Sequence, residues 1–345
     1  MNFTFTEEQR LFAETARSLL SDTCQPADLR RLLAEGGARD AARWGAIIET
    51  GLTLLLLPEA AGGLGLTETD FALIAEAAGY YALPEPLVES AGVAAPMLAA
   101  IFPGAPVLQN PAATLAIQHP INPFVTDADT AEALLLHHQG ETHLVDRQAA
   151  KLTREPSIDP FRRLFRVDWT PAPATRIAEG SALWSAALDR GALFAAAQGL
   201  GLAQRAIDLA ADYAKARTQF GKPIGAYQAI KHHLASAQVK LEFARPVVQA
   251  AAAVSADGDA YSRARVSHAK IVALEAADFA CRTAVQVHGA MGYSWEVDVH
   301  LFLKRTLALT FAWGTPAFHR ARVAHRVFDL PTGPDQTFAR EPTHA

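Results

Sequence analysis

The feature that most constrains the fold is a series of long helical patterns that fills the second half of the chain. Apolar residues recur with helical spacing over residues 181–216, 226–255, 260–288, 297–312 and 314–328. Helices of this length joined by short turns pack as an antiparallel bundle. The first pattern includes Gly191, Gly199 and Gly201, which would let neighbouring helices approach closely. Pro246 predicts an interruption or a kink in the second helix.

The first 104 residues also have helical spacing. Residues 6–20 carry apolar side chains on one face, and Thr6 with Gln9 predicts a capping box at the start of that helix. Further helical patterns cover residues 26–33, 41–50, 69–80 and 87–101. Residues 53–65 bring an apolar run next to glycines, but they lack the spacing of a dinucleotide-binding turn. This part is therefore a helical domain, without a nucleotide-binding turn of that kind.

Between residues 105 and 175 the composition changes. Prolines become frequent, and strand-length apolar segments occur at residues 113–117, 133–137, 142–145 and 164–168. The sequence thus predicts a mainly α protein with an N-terminal helical domain (1–104), a reduced middle β domain (105–175) and a C-terminal antiparallel helix bundle (176–330). The prolines and polar residues of the tail, residues 331–345, predict a flexible segment.

Charge and cysteine content exclude several classes of protein. The net charge is −5 and no cluster of Lys and Arg is present, which argues against a nucleic-acid partner. Cys24 and Cys281 lie far apart in sequence, which is typical of a reducing compartment. No uncharged apolar run is long enough to span a membrane and no signal-peptide pattern opens the chain, so a soluble cytoplasmic protein without membrane association is expected.

No metal site is expected either. His232 and His233 are adjacent, so on a helix their side chains point about 100° apart and cannot share a metal. Glu296 and Asp298 precede a predicted helix, where carboxylates commonly complement the helix dipole.

Two short loops interrupt the helical series and carry the candidate binding residues. The first contains Arg217, Gln219, Phe220 and a glycine, and the second runs from Gln286 to Tyr293 with small residues between them. A guanidinium matches phosphate oxygens in charge and geometry, and small residues let backbone approach a ligand. The loops therefore suit a diphosphate, although a glycine after a helix can equally be a simple C-cap.

The run ARTQFGKPIGAYQAIKHHLA at residues 216–235, followed after one helix by AVQVHGAMGYSWE at residues 284–296, resembles the C-terminal domain of the flavin-dependent acyl-CoA dehydrogenase family. Residues 3–20, 54–66 and 187–210 are also similar to family landmarks, so the resemblance covers most of the chain. It implies an acyl-CoA dehydrogenase-like fold, FAD as cofactor and an acyl-CoA thioester as substrate.

The resemblance also assigns roles to the two loops. In the family, the loop arginine and glutamine reach across a subunit interface to the adenine side and diphosphate of a neighbouring subunit's FAD. Carried over, the cofactor-binding residues are Arg217, Gln219, Phe220, Gln286, Gly289 and Ala290. The family's middle domain is larger and carries a flavin-contacting motif of Thr or Ser near an acidic residue and proline. No stretch here matches that motif, so we expect a shortened flavin cradle.

The resemblance implies that this chain has no catalytic base. Dehydrogenation needs a carboxylate that removes the α-proton of the thioester while hydride leaves to the flavin. In most of the family this carboxylate is a Glu directly before a Gly-Thr pair; here Trp313 precedes Gly314 and Thr315, and indole is no proton acceptor. Some relatives place the base at the position aligned with Gly191, which has no side chain. Thr315 corresponds to a family residue near the flavin and is an expected cofactor contact.

Asp189 is the candidate substrate residue. It matches an aspartate that the family places near the CoA ester, but the family arginine three residues later is Ala192 here. The plainer interpretation is an exposed pair with Arg190. Asp189 lies two residues before Gly191, about 200° around the helix, and would therefore face away from the base position.

These observations favour a short subunit without a base, resembling the non-catalytic subunits of heteromeric bacterial acyl-CoA dehydrogenases of steroid side-chain degradation. Its partner would be a homologous catalytic subunit, to which it supplies FAD contacts. Two alternatives remain open from the sequence. One is a homo-oligomeric, monooxygenase-like flavin enzyme on the same fold, and the other is a structural or regulatory subunit without flavin.

Overall fold

The computed structural model describes residues 4–36 and 39–331. Its N-terminal part is helical, as predicted. Gln9 N–H donates to Thr6 Oγ1 at 3.1 Å and Thr6 N–H donates to Gln9 Oε1 at 3.0 Å, which confirms the capping box. A π-helical segment, Val88–Ala94, leads into the last helix and replaces part of the α-helix predicted there. The helices are α1 Glu7–Thr23, α2 Pro26–Ala34, α3 Ala41–Glu49, α4 Glu68–Tyr80 and α5 Ala95–Ala99.

Between residues 115 and 179, seven strands form two small sheets. The strands are β1 Leu115–Ile117, β2 Phe124–Thr126, β3 Ala133–His138, β4 Glu141–Asp146, β5 Lys151–Glu155, β6 Leu164–Asp168 and β7 Arg176–Glu179. The first sheet has the order β1-β3-β4-β7 and the second the order β2-β6-β5. Only the β1–β3 pair is parallel among these strand pairs.

Four of the seven strands coincide with predicted segments, and the others lack an apolar pattern. β5 is mostly exposed, β2 is three residues long, and β7 lies beyond residue 175, where it pairs with β4. Side chains of β3 alternate between two cores: Leu134 and Leu136 pack with the second sheet, whereas Leu135 joins the helical core. β3 therefore joins the β segment, which we define as residues 115–179, to the helices.

The C-terminal part contains five helices and one small hairpin. Successive long helices run in opposite directions, so the first and third are parallel. Pro246 lies inside the second helix, which is unbroken, so of the predicted interruption or kink the interruption does not occur. The elements are α6 Ala182–Ala216, the hairpin strands β8 Thr218–Gln219 and β9 Lys222–Pro223, α7 Gln228–Ala252, α8 Ala260–His288, α9 Val299–Phe311 and α10 Pro316–Phe328.

Glycines of α6 allow the close packing predicted for them. A side chain at Gly201 would collide with the main chain of Glu76 in α4, and one at Gly79 of α4 would collide with the main chain of Gln198. Gly199 lies against Ala273 and Leu274 of α8. α6 is thus held between α4 and α8 at distances that only small residues permit. Gly191 differs, because its neighbour is a side chain, described below.

Buried ion pairs connect the three parts of the chain. Arg43 and Glu85 form a fully buried pair at 2.7 Å within the N-terminal part. Arg162 of the β segment pairs with Glu89, and Asp159 pairs with Arg305 of α9. The loop before β6 is therefore tied by charge to both helical parts.

Other sequence-based expectations concern the termini, cysteines and membrane. Cys24 and Cys281 are buried free thiols, and burial raises the pKa of each to about 12. The predicted flexible tail lies outside the described residues from position 332 onward. Across residues 4–36 and 39–331, no helix combines the length and apolar character needed to span a bilayer.

Gly201 and Gly45 provide a matched test of the α4–α6 contact. Gly201→Ala should destabilise the protein by roughly 1–3 kcal/mol, because the new methyl group meets rigid main chain. Gly45→Ala, on α3 with open space around it, should be neutral or stabilise by up to about 1 kcal/mol. Urea unfolding followed by circular dichroism measures both. Similar effects at the two positions would contradict the close packing.

Candidate functional site

The first predicted loop is an exposed hairpin at the end of α6. Arg217 follows the last helical residue, its N–H donates to Tyr213 O at 2.8 Å, and its own carbonyl accepts from Ile224 N–H at 2.8 Å. Phe220 and Gly221 form the turn with positive φ angles of 53° and 80°. Phe220 is 91% exposed, and Arg217 and Gln219 are also exposed. The hairpin therefore presents a cation and an aromatic ring away from the bundle.

The second loop begins where α8 ends. Gly289 has a φ of 60°, which suits glycine, and no atom within 4 Å would meet a side chain there. Gln286, Gly289 and Ala290 are exposed. The His288 ring stacks on Tyr213 of α6 with a centroid distance of 4.2 Å. Because this contact joins the C-terminal ends of the parallel helices, both loops lie at the same end of the bundle.

The structure thus brings together the six residues predicted for the adenine and diphosphate side of FAD. Neither the Arg217 guanidinium nor the Gln286 amide has a hydrogen-bonding partner within the described part of the chain. Their donors face solvent, and the backbone at Gly289 is accessible. This donor set fits a diphosphate in charge and in hydrogen-bonding capacity.

The two possible positions for the base lie in direct contact. Trp313, between α9 and α10, is 2% exposed, and its backbone has a φ of 55°. Its indole lies on Gly191 of α6 so closely that a Cβ at residue 191 would overlap the ring. Because Gly191 has no side chain, space is left beside α6, and the Trp313 indole fills that space. Neither position offers a carboxylate.

The indole also contacts the β segment. His119, on the loop after β1, stacks on Trp313 with a centroid distance of 4.4 Å and an interplanar angle of 20°. His119 is buried, and its Nε2 has no hydrogen-bonding partner among the described residues. Burial, with nearby Arg162 and Lys270, lowers the pKa of His119 to about 3, so the ring is neutral near pH 7.

Three consecutive carbonyl groups around Trp313 are held by buried side chains. The Lys270 ammonium donates to Ala312 O and Gly314 O. His319 Nε2 donates to Trp313 O at 2.9 Å, and its Nδ1 lies 3.0 Å from Ser267 Oγ. Burial lowers the pKa of Lys270 to about 7 and that of His319 to about 3. A neutral His319 that donates through Nε2 accepts from the Ser267 hydroxyl through Nδ1.

Thr315 and Asp189 have structural partners. Thr315 Oγ1 accepts from Phe318 N–H at 3.2 Å and so caps α10. Asp189 is buried, accepts from Arg322 Nη2 at 2.6 Å and lies 3.3 Å from Arg263 Nε. An exposed pair with Arg190 was the wrong alternative, since Arg190 pairs with Glu68. Asp189 faces α8 and α10, where these two guanidinium groups hold its carboxylate.

An outer cleft lies between the β segment and the first turns of α6. Its volume is about 540 Å³. The walls are mainly aromatic, proline and small polar side chains, and the lining includes His119. Across the described ranges, no group of His, Cys, Asp or Glu side chains is arranged to hold a metal ion, and His232 and His233 are exposed.

Sequence reasoning missed His119 and Lys270. Lys270 lies in the buried stripe of α8 with Val266, Ala269 and Ala273. Because lysine is rarely buried without a partner, its place in an apolar stripe could have indicated a specific role. His119 gave no comparable signal, because it lies in an irregular loop whose contact with Trp313 spans most of the chain.

The architecture is that of an acyl-CoA dehydrogenase. Model matches to the family's N-terminal domain cover residues 6–101, and matches to its C-terminal domain cover residues 178–328. The crystal structure of the ChsE4-ChsE5 complex from Mycobacterium tuberculosis has a chain that superposes with a TM-score of 0.84 at 22% identity, covering 96% of this chain and 100% of that one.

Full-length relatives give the same assignment. Acyl-CoA dehydrogenase IpdE2 of Mycobacterium tuberculosis is 30% identical over 328 residues, which are 94% of this chain and 99% of the relative. IpdE2 of Mycolicibacterium smegmatis is 30% identical over 326 residues, covering 94% of this chain and all of the relative. The chain belongs to the acyl-CoA dehydrogenase family. Its members are oxidoreductases that act on acyl-CoA, with FAD as the family's cofactor.

The neutral state of His119 predicts a specific pH dependence of stability. Between about pH 6.5 and 3 the unfolded chain binds a proton at this residue that the folded chain does not, so stability falls on acidification. The contribution is about 1.4 kcal/mol per pH unit. His119→Phe keeps a ring on Trp313 and should give a shallower decline in unfolding free energy from pH 6 to pH 4.

Urea unfolding at several pH values measures this slope. The matched control is His233→Phe, because His233 is exposed on α7. Parallel curves for the wild type and His119→Phe would contradict a buried neutral histidine.

Proposed function

We propose that this chain is the non-catalytic subunit of a heteromeric acyl-CoA dehydrogenase. It presents Arg217 and Gln286 to an FAD that is held mainly by a homologous catalytic subunit. The observation that carries the proposal is the contrast between two parts of one domain: the cofactor-facing loops are exposed and unpaired, whereas the base position is filled by a buried indole. A subunit with this combination can support a neighbour's cofactor but cannot remove a proton through either family position.

FAD, when bound at such an interface, supplies the hydride acceptor for α,β-dehydrogenation of the thioester. The chain's own contribution is binding and orientation. The Arg217 guanidinium would donate to diphosphate oxygens, the Gln286 amide would provide a further donor, and Gly289 leaves open space for close approach of the ligand. Phe220, at the tip of the hairpin, offers a ring face for the adenine side.

Exposed apolar side chains support association with a partner. Phe243 on α7 is 75% exposed, and Val239 on the same helix and Phe311 at the end of α9 are also exposed. Large apolar side chains on a bundle surface are typical of helices that pack against another subunit. We expect a dimer or a dimer of dimers, and micromolar monomers in light scattering would count against it.

The substrate class follows from the family and from the relatives. The relatives of similar length carry the name acyl-CoA dehydrogenase, one structural neighbour is a complex of two named chains, and another is described as a steroid acyl-CoA dehydrogenase. These similarities support a heteromeric enzyme that dehydrogenates a steroid-derived acyl-CoA.

Arg217→Ala tests the cofactor role directly. A charge-assisted contact to phosphate contributes roughly 1.5–3 kcal/mol, so FAD affinity of the assembled complex should fall about ten-fold or more. Stability should change little, because the side chain is exposed and has no partner within the described residues. Lys215→Ala is the matched control, since Lys215 is an exposed cation two residues earlier with a local partner, Asp212.

Fluorescence titration of FAD into the apo complex measures the affinity. An unchanged dissociation constant for Arg217→Ala would remove the basis of the proposal. A colourless complex that never binds FAD would favour a structural subunit, and an FAD-loaded chain without any partner would favour a homo-oligomeric flavin enzyme.

The chain alone should not dehydrogenate acyl-CoA esters. General-base catalysis typically contributes a factor of about 10² to 10⁴, and the shortened β segment compounds its loss. Trp313→Glu should not restore activity, because the new carboxylate would lie buried between His119 and Gly191. Single-turnover bleaching of FAD by acyl-CoA esters measures both proteins. Rapid bleaching by the unmodified chain would reveal an unrecognised base.

A further inference from the structure

The Trp313 indole and the Gly191 backbone form a matched pair. Any side chain at residue 191 would overlap the six-membered part of the indole, so this conformation of Trp313 requires glycine there. The glycine is not needed for its own backbone, because it lies within regular α6 and its φ is not positive. Its distinguishing contact is therefore with the ring of Trp313.

Gly191 and Trp313 lie next to the outer cleft, on the side where a bound ring would enter between the β segment and α6. The outer cleft between the β segment and α6 reaches His119, and Trp313 lies directly behind that residue. The centroids of these two rings are 4.4 Å apart. Stacked groups need roughly 3.5–4 Å per contact, so a third ring between them would need about twice the observed spacing. The cleft has no room for an isoalloxazine at this depth.

The surrounding main chain holds the indole in this position. Lys270 and His319 bind the carbonyl groups on both sides of Trp313 and that of Trp313 itself. The residues that contact Trp313 have charged neighbours of their own. Arg162 and Lys270 lie near His119, and Lys270 and Arg322 lie near His319. These side chains are contributed by the β segment, α8 and α10, so the ring is fixed by contacts from several elements.

We propose that Trp313 is a built-in plug of this chain's own flavin cleft, and that Gly191 is the residue that makes room for it. The pair excludes a flavin ring from this subunit. Only the two exposed loops, at the other end of the bundle, are then able to contact FAD. This inference deepens the proposed function by adding steric exclusion to the absence of a base. It rests on that function for the meaning of the cleft, but its test involves neither Arg217 nor Gln286.

A double-mutant cycle tests the pairing. Gly191→Ala in the wild-type background should lower the urea midpoint markedly, because the methyl group displaces the indole. In the Trp313→Gly background the same substitution should have a much smaller effect, because the ring is gone. Glycine also suits the positive φ of residue 313. Equal effects of Gly191→Ala in the two backgrounds would overturn the pairing.

Lumiflavin, an isoalloxazine without a diphosphate, tests exclusion of the ring. Trp313→Gly in the isolated full-length chain should bind lumiflavin at least about ten-fold more tightly than the wild type, measured by quenching of flavin fluorescence, because apolar cavities accept matching apolar ligands. Phe302→Ala is the control, since Phe302 is a fully buried ring on α9 that, unlike Trp313, does not stack on His119 in the described part of the chain. Trp313→Leu, which keeps an apolar side chain, serves if the glycine variant does not fold.

The outcomes separate this inference from the proposed function. Equal lumiflavin binding by the wild type and the Trp313 variants, or tight binding by the wild type, would overturn the plug. A gain confined to the Trp313 variants would support it whatever Arg217→Ala does to FAD affinity. A similar gain in Phe302→Ala would show non-specific cavity binding and would also overturn it.

Discussion

Close packing of α6 against its neighbours is the constraint on which the rest of the structure depends. The helix has alanine and glycine where it meets α4 and α8, so main chain lies against main chain at Gly201 and Gly79. α8 lies against the same helix at Gly199, parallel to it, and the C-terminal ends of α6 and α8 carry the two exposed loops. α6 also provides Gly191 for the indole of Trp313. Both the loops and the Trp313 contact are therefore positioned by α6.

Much of the fold could be predicted from the sequence because its signals are local. Helical periodicity, the Thr6 capping box and the glycine-marked turns each depend on residues close in the chain. Strands β2, β5 and β7 could not be predicted, since they are short or exposed and owe their conformation to pairing with distant strands. Pro246 does not break α7, although its missing N–H removes one helical hydrogen bond.

The candidate site shows the same division. The lack of a carboxylate at Trp313 and at Gly191 could be read separately, because each is a departure from a family pattern. The contact between these two residues could not be predicted from the sequence, because it depends on how α6 packs against the link between α9 and α10. The stack with His119 is still harder to predict, because His119 and Trp313 are far apart in sequence and the histidine lies in an irregular loop.

The buried ion pairs have a consequence for how the chain folds. Arg162 with Glu89, and Asp159 with Arg305, join segments that are distant in sequence. None of these charges can leave water favourably until its partner is in place, because an unpaired buried charge costs several kcal/mol. The β segment therefore gains its native environment only when both helical parts have assembled around it. If it were excised, it would expose an apolar face, and Asp159 and Arg162 would lose their partners. The three segments therefore form one cooperative unit despite their distinct secondary structure.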